Sequence, residues 1–125
     1  MTLSYPYDTS YDPPAPVVPV RISAPGSPDR GVALPALVDS GADVTVIPAA
    51  VAAAIRLPPI GRLRVAGVAG VVHGAVVYAA EVEINGVRRS AEVIGLGDQT
   101  LLGRNLLNQW VLVLDGPGLR LEMTG

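Results

Sequence analysis

No apolar stretch of this chain runs far before a glycine, a proline or a charge interrupts it, and that interruption most restricts the fold. The 125 residues carry 14 glycines and 12 prolines, yet half of the chain is hydrophobic. Long amphipathic helices need an apolar stripe sustained over many turns, which these breakers forbid. Short β-branched runs separated by turn residues instead predict an all-β fold, a small closed barrel with one or two short helices. At this length one domain is expected, large enough to bury a core without staples.

The runs can be placed along the chain. Residues 1–16 are rich in Tyr, Pro, Asp and Ser and show no period, so an extended N-terminal arm is expected there, with the domain spanning 17–125. Val17 to Ala24 and Val32 to Val38 read as strands, separated by a turn of Pro, Gly, Ser and Asp. Pro48 to Ile55 reads as an Ala-rich helix with Pro in its first turn. Leu63 to Val72 and Ala75 to Ile84 are apolar β-branched runs, and the glycine-rich Ala66-Gly67-Val68-Ala69-Gly70 suits a hairpin tip. Asn85-Gly86 is a strong two-residue hairpin turn. Val111 to Leu114 and Leu119 to Met123, around Asp115-Gly116-Pro117-Gly118, read as a terminal hairpin.

Composition excludes several functions. Without cysteine there are no disulfides and no thiolate metal sites. The single histidine, His73, has no companion His or Cys with which to build a metal centre, so neither metal nor other cofactor is expected. A net charge of −2, with no basic cluster longer than Arg88-Arg89, argues against nucleic-acid binding. The apolar run Ile47 to Ile55 falls short of the ~20 residues that span a bilayer, so no membrane association is expected. The first residues lack the charge and apolar core of a secretory signal, and the expected location is cytoplasmic.

Chemistry concentrates in two segments. Ala36-Leu37-Val38-Asp39-Ser40-Gly41-Ala42-Asp43 places a carboxylate at the end of an apolar strand, followed by a hydroxyl and a glycine. Leu101-Leu102-Gly103-Arg104-Asn105-Leu106-Leu107 gives an apolar pair, a glycine and a short helical pattern. Alone, Asp39 would read as a turn residue or a cap. Together and in this order the two segments resemble the signatures of the retroviral-type aspartic proteases, the retropepsins, over about Val32 to Trp110.

That resemblance implies a retropepsin-like barrel acting as an endopeptidase on extended peptide or protein substrates. It makes Asp39 the catalytic aspartate, with Ser40, Gly41 and Ala42 forming the active-site loop. Asp43 and Arg104 become a structural ion pair, and Asn105 is expected to bond backbone near Thr45. Gly67, Val68, Ala69 and Gly70 fall where the family carries its flap, over the substrate. Val44, Val46, Val68 and Leu102 are candidate pocket walls. The family more often has Thr where this chain has Ser40.

The chemistry needs two carboxylates about 3 Å apart sharing one proton. No second Asp-Ser/Thr-Gly occurs in the chain, and Asp115-Gly116 lacks the hydroxyl position. A homodimer is therefore expected, with Asp39 supplied twice. Two other readings stay open here: a catalytically silent dimeric peptide-binding module of the same fold, and a protease that processes only itself.

Overall fold

The computed structural model describes residues 2–125; Met1 lies outside them, as does the side chain of Val68. The strands are β1 (Thr2–Pro6), β2 (Val17–Ser23), β3 (Val32–Val38), β4 (Thr45–Ile47), β5 (Pro59–Ala66), β6 (Val72–Ile84), β7 (Val87–Gly95), β8 (Leu101–Leu102), β9 (Val111–Asp115) and β10 (Arg120–Thr124). Two short helices, α1 (Ala49–Ala54) and α2 (Arg104–Leu107), sit between them. The all-β expectation holds.

Strand alternation explains the core. On β2, Val18, Val20 and Ile22 point inward and are buried, while Pro19 is exposed between them. Pro19 precedes the Arg21–Ser23 stretch in which β2 takes β6 as its second neighbour, so its missing N–H interrupts no ladder on that side. Ile47, Val82, Val93, Leu102, Leu106, Leu121 and Met123 join the same cluster. Each such side chain contributes about 1.5–3 kcal/mol on burial.

The main sheet runs β2-β3-β8-β4-β7-β6-β5, and β2 also pairs with β6. Six strands therefore close into a ring, and β5 hangs on its outside through β6. Asn85 and Gly86 both have positive φ, at 48° and 82°. That is the conformation a tight β6–β7 hairpin demands and Asn-Gly tolerates. A second sheet, ordered β1-β10-β9, packs Leu121 and Met123 into the common core.

Several boundaries differ from the sequence expectation for physical reasons. Segment 1–16 supplies β1, paired with β10 from Thr2↔Thr124 to Pro6↔Arg120. Its Tyr and Leu side chains alternate with polar ones, but Pro6 and the following Tyr7-Asp8 mask the period. The two central runs resolve as an eight-residue β5 that starts at Pro59 and a 13-residue β6. Proline at a strand's first position is tolerated because no inner ladder bond is lost. The Ala-rich helix starts at Ala49, with Pro48 as its N-cap. No helix among the described residues is long and apolar enough to cross a membrane.

Candidate active site

Asp39 stands one residue past the end of β3, where the parallel pair β3–β8 also ends. Its N–H donates to the Leu102 carbonyl at 3.1 Å, which anchors the loop to β8. The chain then turns tightly: Ala42 N–H donates back to the Asp39 carbonyl at 3.1 Å, and Gly41 N–H donates to Asp39 Oδ1 at 3.0 Å. The carboxylate is thus oriented by its own loop and remains half-buried rather than sealed. A Cβ at Gly41 would lie 3.2 Å from Asp39 Oδ1, so a small residue keeps that approach open. Ser40 and Gly41 are exposed at the tip.

Helix α2 braces this loop from behind. Four residues make a helix with hardly any internal hydrogen bonding, so its N-terminal donors need outside partners. Arg104 N–H finds the Ala42 carbonyl at 2.8 Å and Asn105 N–H the Asp43 carbonyl at 3.3 Å. The guanidinium of Arg104 donates to the Ser40 carbonyl at 2.8 Å and pairs with the Asp43 carboxylate. The Asp43 side chain is 83% exposed, so this ion pair lies at the surface of the single chain.

Gly103 makes the close packing possible. A Cβ there would meet the Val44 carbonyl carbon at 2.4 Å and the Thr45 nitrogen at 2.8 Å, both backbone atoms that cannot swing aside.

Beneath it lies a part-buried polar knot. Asn105 Oδ1 accepts from the Thr45 N–H at 3.0 Å and from the Thr45 hydroxyl at 2.9 Å. Thr45 Oγ1 in turn accepts from Gly103 N–H at 3.1 Å, and Asn105 Nδ2 donates to the Glu92 carbonyl at 2.8 Å. The expected contact between Asn105 and the backbone near Thr45 is present. The sequence reading did not single out the Thr45 hydroxyl or the Glu92 carbonyl; a Thr opening a β-branched strand looks like an ordinary strand residue.

Gly67, Ala69 and Gly70 lie at the hairpin tip between β5 and β6, together with the backbone of Val68. Gly67 N–H donates to the Val71 carbonyl at 2.8 Å, and Ala69 and Gly70 adopt φ of 65° and 74°. Val71 and Val72 are exposed there. His73 is exposed on β6 opposite Val65. Val44 and Val46 are partly exposed, whereas Leu102 is wholly buried in the core. Leu102 therefore cannot line a pocket as the sequence suggested, because the parallel β3–β8 pair turns it inward.

The family model described as "gag-polyprotein putative aspartyl protease" matches residues 30–109. Among solved structures, a retropepsin-like aspartic protease from Rickettsia conorii is 16% identical, with a TM-score of 0.69, over 98% of this chain and 89% of that one. The EIAV protease complexed with the inhibitor HBY-793 is 21% identical, with a TM-score of 0.60, over 76% of this chain and 86% of that one. A search of curated proteins finds no match. The two structural likenesses establish a common fold.

Proposed function

The chain belongs to the gag-polyprotein aspartyl protease family, and on that premise we propose that it is an aspartic endopeptidase active as a homodimer. The observation that carries this reading is the setting of Asp39. Its carboxylate is oriented by the Gly41 N–H on a loop braced by α2, and each chain supplies it once. In the dimer the two Asp39 carboxylates share one proton and hold a water between them. The ionised one takes a proton from the water as it attacks the peptide carbonyl; the protonated one gives its proton to the carbonyl oxygen. The tetrahedral intermediate collapses as a proton passes to the leaving amine.

The remaining residues act as positioning groups in this reading. Ser40 hydrogen-bonds across the axis, and Gly41 with Ala42 presents backbone to an extended substrate. The hairpin tip at Gly67, Val68, Ala69 and Gly70 closes over that substrate as a flap and excludes water. Asp43 and Arg104 hold the loop against α2. Val44 and Val46 offer apolar walls, favouring hydrophobic side chains beside the cut.

The test is a mass-spectrometric digest of a peptide library by wild type and Asp39→Asn, with pepstatin as inhibitor. The reading requires pepstatin-sensitive cleavage by wild type alone. Equal cleavage by both proteins would overturn it, and binding without cleavage would favour a silent peptide-binding dimer.

A further inference from the structure

Among the described residues every buried hydrophobic side chain joins the core cluster except two, Ala75 on β6 and Ile94 on β7. Register explains the exception. Residues paired across a ladder share one face of a sheet, and neighbours along a strand alternate between faces. Val93, Ala80 and Val82 point into the core, so Ile94 and its partner Val77 point the other way.

This second face can be followed from strand to strand. Ile94 pairs with Val46 on β4, the strand that leaves the Asp39 loop. From Val77 the face continues along β6 to Ala75, across from Leu63, and then to His73, across from Val65. The irregularity between Pro59 and Gly61 inserts Ile60 into β5 and leaves the alternation of β6 intact. Arg62 and Arg64 pair with Val76 and Gly74 and so fall on the opposite face.

The register therefore decides which side of the β5–β6 hairpin is its underside. A substrate held between Val46 and the hairpin meets Leu63, Val65 and His73, not the two arginines. His73 is exposed, and it is the one polar side chain in that otherwise apolar row. No charged residue of β5 shares its face among the described residues. Along β6 the first charge on that face is Glu92, opposite Ala79 and about 20 Å away at a strand's rise, with Glu81 and Glu83 beyond it. Asp39 lies past the β4 end.

We propose that His73 is a specificity-determining residue, whose imidazolium selects an acidic side chain at one position of the substrate. The selection is lost when the imidazole gives up its proton. The inference rests on the peptidase reading and adds to it the charge of one substrate position. Histidine ordinarily changes charge between about pH 5 and 8. An ionised donor bonds a carboxylate more strongly than a neutral amide, and more so where a closed hairpin excludes water.

The test uses a library of matched peptides that differ only by Glu or Gln at each position along an apolar sequence. Digestion is followed by mass spectrometry at about pH 5.5 and about pH 8, on either side of histidine's ordinary range. Titration of Asp39 affects both members of a pair alike and cancels in their ratio. Wild type should prefer Glu at one position by about fivefold or more at the lower pH and lose that preference at the higher. His73→Gln should show no preference at either pH, and His73→Arg should show it at both. Circular dichroism checks that both variants fold. A preference that ignores pH in wild type, or that survives in His73→Gln, overturns the proposal. The same library is incubated with Asp39→Asn, with and without His73→Gln, and the bound peptides are identified. Glu-selective binding that depends on His73, with no cleavage by wild type, keeps the His73 contact and removes the peptidase reading. Asp39-dependent cleavage without the preference removes the His73 contact alone, and neither cleavage nor selective binding removes both.

Discussion

One side-chain oxygen of Asn105 accepts both the backbone N–H and the hydroxyl of Thr45, sixty positions away in the chain. Thr45 is completely buried, and its own oxygen serves the Gly103 N–H. The pair thus locks the strand that follows the Asp39 loop to the helix that supports it.

Thr45→Val keeps the volume but removes the hydroxyl, stranding a buried N–H of Gly103. An unsatisfied buried donor costs about 1–3 kcal/mol, so chemical denaturation should show a loss in that range. Asn105→Ala should cost at least as much, and the double variant less than the sum. Strict additivity would mean that the two residues do not share one network.

Gly103→Ala should be worse tolerated than its size suggests. The added methyl meets Val44 and Thr45 backbone rather than a flexible side chain. Overpacking of this kind costs about 1–3 kcal/mol and must shift either α2 or the Asp39 loop. We expect a lower melting temperature together with activity lost beyond the unfolded fraction. A variant as stable and as active as wild type would refute the close packing.

Asp43→Ala should have little effect on the stability of the chain. The carboxylate is largely exposed, and exposed ion pairs contribute about 0–1 kcal/mol. The retroviral resemblance would have favoured a buried pair and a larger loss. Urea unfolding distinguishes the two, and a loss of several kcal/mol would show that the pair becomes buried in the assembled protein.

Asp8 carries a local pH response. Its carboxylate accepts the Ser10 hydroxyl at 2.6 Å and the Ser10 N–H at 2.9 Å, which hold it below the ordinary carboxylate value. The folded chain therefore binds this proton more weakly than the unfolded one. The turn's contribution to stability is present above the ordinary carboxylate pKa and lost as pH falls through the lowered value. Ser10→Ala should raise the Asp8 midpoint in an NMR titration; an unmoved midpoint would exclude the hydroxyl as the cause.

For catalysis, rate against pH should pass through a maximum on the acidic side of neutrality. In the proposed dimer the two Asp39 carboxylates share one proton, and gaining or losing it would stop the exchange. Asp39→Asn should lower the rate by about 100-fold or more while leaving the dimer folded. Activity still climbing at pH 9 would require a different base.

The packing of the two signature segments against each other was more legible than the frame around them. Asp39-Ser40-Gly41 and Gly103-Arg104-Asn105 were singled out by their resemblance to a family's signatures, and the expected Asp43–Arg104 and Asn105–Thr45 contacts are present. The Asn85-Gly86 turn was legible because its chemistry is local. β1 was not, because its partner Thr124 lies at the other end of the chain and its five residues carry a proline. Leu102 was misjudged as a pocket wall because its neighbour relations come from the parallel β3–β8 pairing, which no short window of sequence encodes. The burial of Thr45 was equally hidden, since it depends on an asparagine sixty positions on.

The pairing of Thr2 with Thr124 ties assembly to synthesis. β1 has no strand partner until β10 has been made, so a growing chain holds β1 waiting while β2 to β9 are translated. β9 likewise takes its inner neighbour from β10. Contacts spanning so much sequence form late and slowly in folding. A ribosome-bound chain therefore carries the Asp39 loop well before it carries a finished terminal sheet.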